Sequence, residues 1–202
     1  MKNWLIASII TLGCAVAQAQ SPMVRFHGAV GYSVGGDTLA SGKYTDGTSY
    51  SVSAGQGLLL ALGADFRVAD KVTIQATVGH HQDSVYASNG EIAFKRSPVE
   101  LLTFYDMTEQ FRLGGGLRKA QNAELTATGA AVGIPGTGAY ESTVGLVLEG
   151  QYFFNSPPSS PEERKPRWGL GVRIVGESYK PTNGSTGSRD GSHLAVSMLF
   201  YY

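Results

Sequence analysis

The chain has 202 residues, with 16 basic and 16 acidic side chains and a mean hydropathy of −0.07. That balance excludes the basic face that nucleic-acid binding requires. The only cysteine, Cys14, falls in an N-terminal leader, which excludes disulfide, thiol and cysteine-metal chemistry from the remainder. Twenty-seven glycines and ten tyrosines are more than an ordinary enzyme core needs, and suit a crowded barrel wall with aromatic girdles.

Residues 1–19 read as an export signal. Lys2 gives the positive start, Leu5 to Val16 the short apolar stretch and Ala17-Gln18-Ala19 the small-residue cleavage site. A lipoprotein reading of Thr11-Leu12-Gly13-Cys14 is weaker, because threonine stands where leucine is expected. Residues 20–202 then form one domain, and no stretch approaches the roughly 20 apolar residues of a spanning helix.

Period-two segments separated by turn clusters follow. They predict eight strands, at 23–34, 56–68, 71–82, 92–105, 110–118, 139–154, 167–179 and 192–202. A correct register should keep charge off lipid, since Arg or Lys there costs roughly 2–4 kcal/mol at the midplane. The first strand sends out Val24, Phe26, Val30 and Tyr32 and turns Arg25, His27 and Ser33 inward. The second exposes Leu58, Leu60, Leu62, Phe66 and Val68 over inward Asp65 and Arg67, and the third exposes Val72, Ile74, Ala76 and Val78. In the fourth, Phe94 and the set Val99, Leu101 and Tyr105 have opposite parity, which predicts a register-flipping bulge at Pro98 and puts Glu100, Leu102 and Phe104 inside. The fifth pairs outward Phe111, Leu113 and Leu117 with inward Arg112 and Arg118; the sixth carries Val144, Leu146, Leu148 and Tyr152 outside and Glu141, Glu149 and Gln151 inside. Trp168, Leu170, Val172 and Ile174 cover the seventh, with Arg173 and Glu177 inward, and the eighth ends on outward Leu194, Val196, Met198, Phe200 and Tyr202.

The fold class expected is all-β, an eight-stranded antiparallel up-and-down transmembrane β-barrel. Connections at 69–70 and 106–109 are short, whereas 35–55, 83–91, 119–138 and 180–191 are longer and should face the exterior. Asn155 to Pro166 is a proline-rich excursion on the short-turn side.

On these residues the chain resembles the small outer-membrane barrel superfamily that includes the OmpA transmembrane domain and OmpX. Arg96-Ser97-Pro98-Val99-Glu100-Leu101-Leu102, Phe111 to Arg118 and Leu146 to Gly150 are similar to a group described only as outer-membrane β-barrel domain proteins. The resemblance implies location in the outer membrane of a Gram-negative bacterium, with lipid and lipopolysaccharide as surroundings. It also implies that Phe200 and Tyr202 form an assembly signal read by the barrel-assembly machinery, although Ser197 stands where the family has glycine.

Inward charges balance, with Asp65, Glu100, Glu141, Glu149 and Glu177 against Arg25, Arg67, Arg112, Arg118 and Arg173. An interior of eight strands is just wide enough for side chains to fill it, so these should pair. Glu100, Arg112, Glu149 and Arg173 alternate in sign on four consecutive strands and are the expected lumen network. The function expected is structural or loop-mediated interaction, without cofactor or metal, with the loop from Gly35 to Gly55 and its Tyr44 and Tyr50 as the place for an external ligand. A narrow channel is the alternative, and a lipid-modifying enzyme the third. For the last, His81 with Asp83 and Ser84, or His193 with Ser192 and Glu177, lack the His-x-Ser pattern of lipid A deacylases. His80 and His81 alternate across a strand and cannot share an ion.

Overall fold

A computed structural model of the chain describes residues 24–44, 47–155, 165–183 and 187–202. The leader and most of the proline-rich turn lie outside them. The strands are β1 (Val24–Gly35), β2 (Thr38–Lys43), β3 (Ser49–Ser53), β4 (Gly57–Ala69), β5 (Val72–Ala87), β6 (Gly90–Asp106), β7 (Phe111–Ala127), β8 (Gly138–Ser142), β9 (Gly145–Phe153), β10 (Arg167–Gly176), β11 (Ser178–Pro181), β12 (Arg189–Asp190) and β13 (His193–Tyr201). β1 is antiparallel to β4 on one side and to β13 on the other, which closes the sheet. β8 runs on into β9 and β10 into β11, so eight staves surround the lumen: β1, β4, β5, β6, β7, β8–β9, β10–β11 and β13. Closure leaves no wall edge to pair with another chain. Phe26 and Tyr202 exchange main-chain hydrogen bonds, so the chain end and the start of β1 share one mouth, called here the terminal mouth.

Each stave exposes apolar side chains: Phe26, Leu62, Val78, Leu101, Leu117, Leu146, Ile174 and Val196 all face out, one from each. A continuous apolar belt of this kind is too large for a water-facing surface and requires lipid. No helix among the described residues is long and apolar enough to cross a membrane, and the strands satisfy their backbone groups by pairing around the ring. The folded barrel is therefore expected to run at a different gel position before and after boiling in detergent. A boiling-independent position would be incompatible with a closed ladder.

Beyond the belt, at the loop end, polarity inverts. Ile92, Phe94, Leu125, Tyr140 and Tyr179 are buried within the barrel, while Gln121, Glu124, Glu141 and Lys180 are exposed outside it. This corrects two expectations. Phe94 shares its inward parity with Arg96, Pro98, Glu100, Leu102 and Phe104, so no flip occurs at Pro98. The extra residue lies instead on β7, where Lys95 pairs Glu124 but Ser97 pairs Gln121, and Asn122 adopts φ 51° to absorb it. Glu141 faces out, not in, because its own stave, β8–β9, carries an irregularity at Thr143–Val144, between buried Ser142 and buried Gly145. Its backbone stays paired there, with Thr143 N–H donating to the Ser178 carbonyl at 2.8 Å and Ser178 N–H donating to Thr143 Oγ1 at 3.1 Å.

Two expected loops hold wall: 83–91 for most of its length and 119–138 for about half. β5 and β6 run to a tight turn after Ala87, and β7 continues to Ala127. The connection from Gly35 to Gly55 is the β2–β3 hairpin, which lies across the loop end. Val52 and Ala54 enter the apolar cluster of Ile92, Phe94, Leu125, Tyr140 and Tyr179. Ser53 N–H donates to Asp83 Oδ2 at 2.7 Å, and Asp190 N–H donates to Asp37 Oδ2 at 2.9 Å.

Candidate functional site

Inward parity brings the charged side chains of five staves into one hydrogen-bonded chain. Arg118 on β7 donates through Nε to Glu177 at 3.1 Å and through Nη1 to Glu100 on β6 at 2.7 Å. Glu100 also accepts from Arg173 Nη1 on β10, at 3.0 and 3.1 Å. Arg173 donates onward to Glu149 on β9 at 2.5 Å. Gln151 then bridges, its amide nitrogen donating to Glu149 at 2.7 Å while its oxygen accepts from Arg112 Nε at 2.8 Å. Arg112 ends the chain on Asp65 of β4 at 2.8 Å and on the Tyr201 hydroxyl of β13 at 2.6 Å. Asp65 in turn accepts from Gln75 of β5 at 2.7 Å and lies 3.4 Å from His27 Nδ1.

Glu100, Glu149 and Arg173 are thus in direct contact, and Arg112 is one side chain away from them, facing Asp65 rather than Glu149. Arg25 and Arg67 point to the lumen side but sit at the terminal mouth, and neither has a carboxylate within 4.0 Å among the described residues. Phe104 packs flat over Gly114, where a Cβ would stand 2.4 Å from its ring, and Arg112 lies 4.3 Å above the same ring. Glycine is therefore required on β7 for the aromatic that seats the arginine.

Sequence reasoning missed Arg96 and Tyr201. Arg96 is buried, donating to His81 Nε2 at 2.9 Å and to the Gln56 carbonyl at 3.2 Å, with its Nε and Nη1 unpartnered. Tyr201 stands between two outward neighbours, Phe200, which packs 4.4 Å from Trp168, and Tyr202, which is exposed. The even spacing of His193, Ala195, Ser197, Leu199 and Tyr201 was the available signal.

His81 and His193 occupy the layer between the ion chain and the loop-end cluster. His81 is fully buried and its ring lies 5.2 Å from that of His193. Its Nε2 is 2.7 Å from Ser33 Oγ, a serine that neither expected set contained. That contact does not make a nucleophile, because the other ring nitrogen faces Arg118 Nη2 at 3.4 Å, where a base would need a carboxylate to stabilise its charged form. Ser33 Oγ also lies 2.7 Å from the Gly55 carbonyl, and at 1% exposure it is closed to substrate. In the second set, His193 Nδ1 lies 2.8 Å from the Gly191 carbonyl and 3.9 Å from Glu177 Oε1. His80, on the opposite face of β5 from His81, is exposed and contacts Gln82 at 3.2 Å.

Outside the loop end, a cavity of about 420 Å³ lies between the hairpin and the β5–β6 turn. Lys43, Tyr44, Tyr50, Ser88 and Asn89 rim it over a floor of Val85, Ile92 and Ala130. Tyr50 lies across Gly42, its cross-strand partner, where a Cβ would stand 2.4 Å from the hydroxyl; Tyr44 tilts against it with ring centres 4.9 Å apart.

No protein-family model matches the sequence, and no curated protein matches it. Among solved structures, it is similar to Neisserial surface protein A at 10% identity, covering 89% of this chain and 98% of that one with a TM-score of 0.46. The outer membrane protein OprG from Pseudomonas aeruginosa is similar at 14% identity, over 89% and 94% of the two chains, with a TM-score of 0.44. Ail, the attachment invasion locus protein of Yersinia pestis, is similar at 12% identity, over 88% and 98%, also at 0.44.

Proposed function

We propose that this chain is a bacterial outer-membrane barrel that neither conducts nor catalyses, and that it acts through its loop-end surface. The observation that carries the reading is the chain of paired charges from Glu177 to Glu149, joined through the Gln151 amide to the Arg112–Asp65 pair, with Val52, Phe94 and Tyr179 packed above it. An eight-stranded interior has room for such side chains and little besides. An ion crossing it would have to part buried pairs. The terminal mouth, with its short turns, is assigned to the periplasm, and the hairpin end to the exterior. Phe200 and Tyr202, at the lipid-facing end of the last strand, are assigned to recognition by the barrel-assembly machinery. External contact is assigned to the cleft of Tyr44 and Tyr50, an apolar floor with a polar rim of the kind that holds small ligands.

Planar-bilayer recording tests the closed lumen. The purified barrel should show no discrete conductance steps; ion-selective steps from the unaltered chain would replace this reading with the channel. Lipid A mass profiles that change on expression of the protein would replace it with an enzyme.

A further inference from the structure

We propose that the vestibule of the terminal mouth binds a phosphate-class anion, held by Arg25, Arg67 and Arg167. These three line one cavity of about 390 Å³, whose floor is Phe153, Tyr201 and the Arg112–Asp65 pair. The ion chain above ends on that floor, so Arg112 is already neutralised. The three at the mouth are not, since none has a carboxylate within 4.0 Å among the described residues. Asp70, Asp106 and Glu109 line the same cavity, yet two of them offer main-chain oxygens instead: Arg67 donates to the Asp70 carbonyl, and Arg167 Nη2 to the Glu109 carbonyl at 2.8 Å.

Arg167 is held flat, with its guanidinium carbon 3.9 Å from the centre of the Phe153 ring, and its Nε is buried without a partner. Burial weighs first on the charges of Arg167 and Arg25; Arg167 is then repelled by Arg25 and Arg112 and attracted by Asp106, and Arg25 is attracted by Asp65 and repelled by Arg67 and Arg112. The mutual repulsion of these arginines, only partly offset by the acids of the same lining, and the unused buried donor of Arg167 are both costs to the free barrel. A bound anion relieves both costs. A carboxylate has two oxygens and one charge; three guanidiniums call for a group with three or more oxygens and more than one charge, which a phosphate or phosphate monoester provides. Such a group could come from free phosphate or from a lipid headgroup at the membrane face beside this mouth.

The test uses the folded barrel, with its heat-dependent gel shift as the check on folding. Inorganic phosphate is titrated calorimetrically into barrel in neutral detergent. In parallel, phosphatidic acid retention is measured in nanodiscs of phosphatidylcholine. Arg25→Gln and Arg167→Gln should each weaken binding on the order of tenfold, the loss expected for one charge-assisted contact, whereas Arg189→Gln at the far end should not. Arginine-dependent binding of phosphate alone assigns a free anion, and of phosphatidic acid alone a headgroup; either supports the site. Absence of both, or binding that the folded Arg25 and Arg167 variants retain in full, overturns it.

Discussion

Arg118→Ala is expected to lower the unfolding free energy of the barrel by about 3–5 kcal/mol, the cost of stranding the partners of a fully buried ion. Arg118 is 1% exposed and serves two acids, Glu100 and Glu177. Without it Glu100 keeps Arg173, but Glu177 keeps only the Tyr179 hydroxyl at 2.8 Å and a histidine 3.9 Å away. The loss should be read as a shift in urea midpoint for the barrel in lipid vesicles. Adding Glu177→Gln should restore part of it, because the neutral amide no longer needs the cation. A variant within about 1 kcal/mol of the parent, the range of exposed ion pairs, would mean that water reaches the lumen centre and that the closed-lumen reading fails.

The wall was legible because lipid imposes one rule on every stave. A residue such as Leu62 or Ile174 faces hydrocarbon, its neighbours do not, and period two follows without knowledge of any partner strand. What lay beyond the bilayer was not legible by the same rule. There the outside is wet and the inside dry, so the apolar parity reverses with no change of register. Phe94 therefore looked like a lipid-facing residue on the wrong beat, and Arg96 was lost with it. The reversal also made the loop-end parts of β5 and β7, Asp83 to Ala87 and Lys119 to Ala127, read as loops.

Glu141 failed for a different reason. One extra residue near Thr143–Val144 turns every later inward position by one, and neither residue type announces it. Asn122, a residue that tolerates positive φ, was the one local clue to the matching bulge on β7. Within the lumen, parity alone selected Glu100, Glu149 and Arg173. Parity says nothing of height along a tilted strand, which is why Arg112 was assigned to the same cluster when its carboxylate is Asp65.

That difference in height predicts two unequal couplings. Arg173 touches Glu149 directly, so Arg173→Ala and Glu149→Ala should each destabilise the barrel by about 3 kcal/mol, and the double variant should fall short of their sum by about 1–3 kcal/mol. Arg112 reaches Glu149 only through Gln151, whose amide has a single orientation that donates to the acid and accepts from the guanidinium. The Arg112–Glu149 coupling should accordingly be smaller, and it should vanish when both are measured in a Gln151→Leu background, while the Arg173–Glu149 coupling survives there. Tyr201 would not carry it in place of Gln151: its hydroxyl accepts from Arg112 at 2.6 Å and from Gln75 at 3.0 Å, and its one proton goes to Gln151 Oε1 at 3.0 Å. Urea unfolding of the four cycles separates these outcomes. Equal couplings for the two pairs, unchanged by Gln151→Leu, would show that the charges sense one another through the lumen at large, and the residue-by-residue chain described here would have to be abandoned.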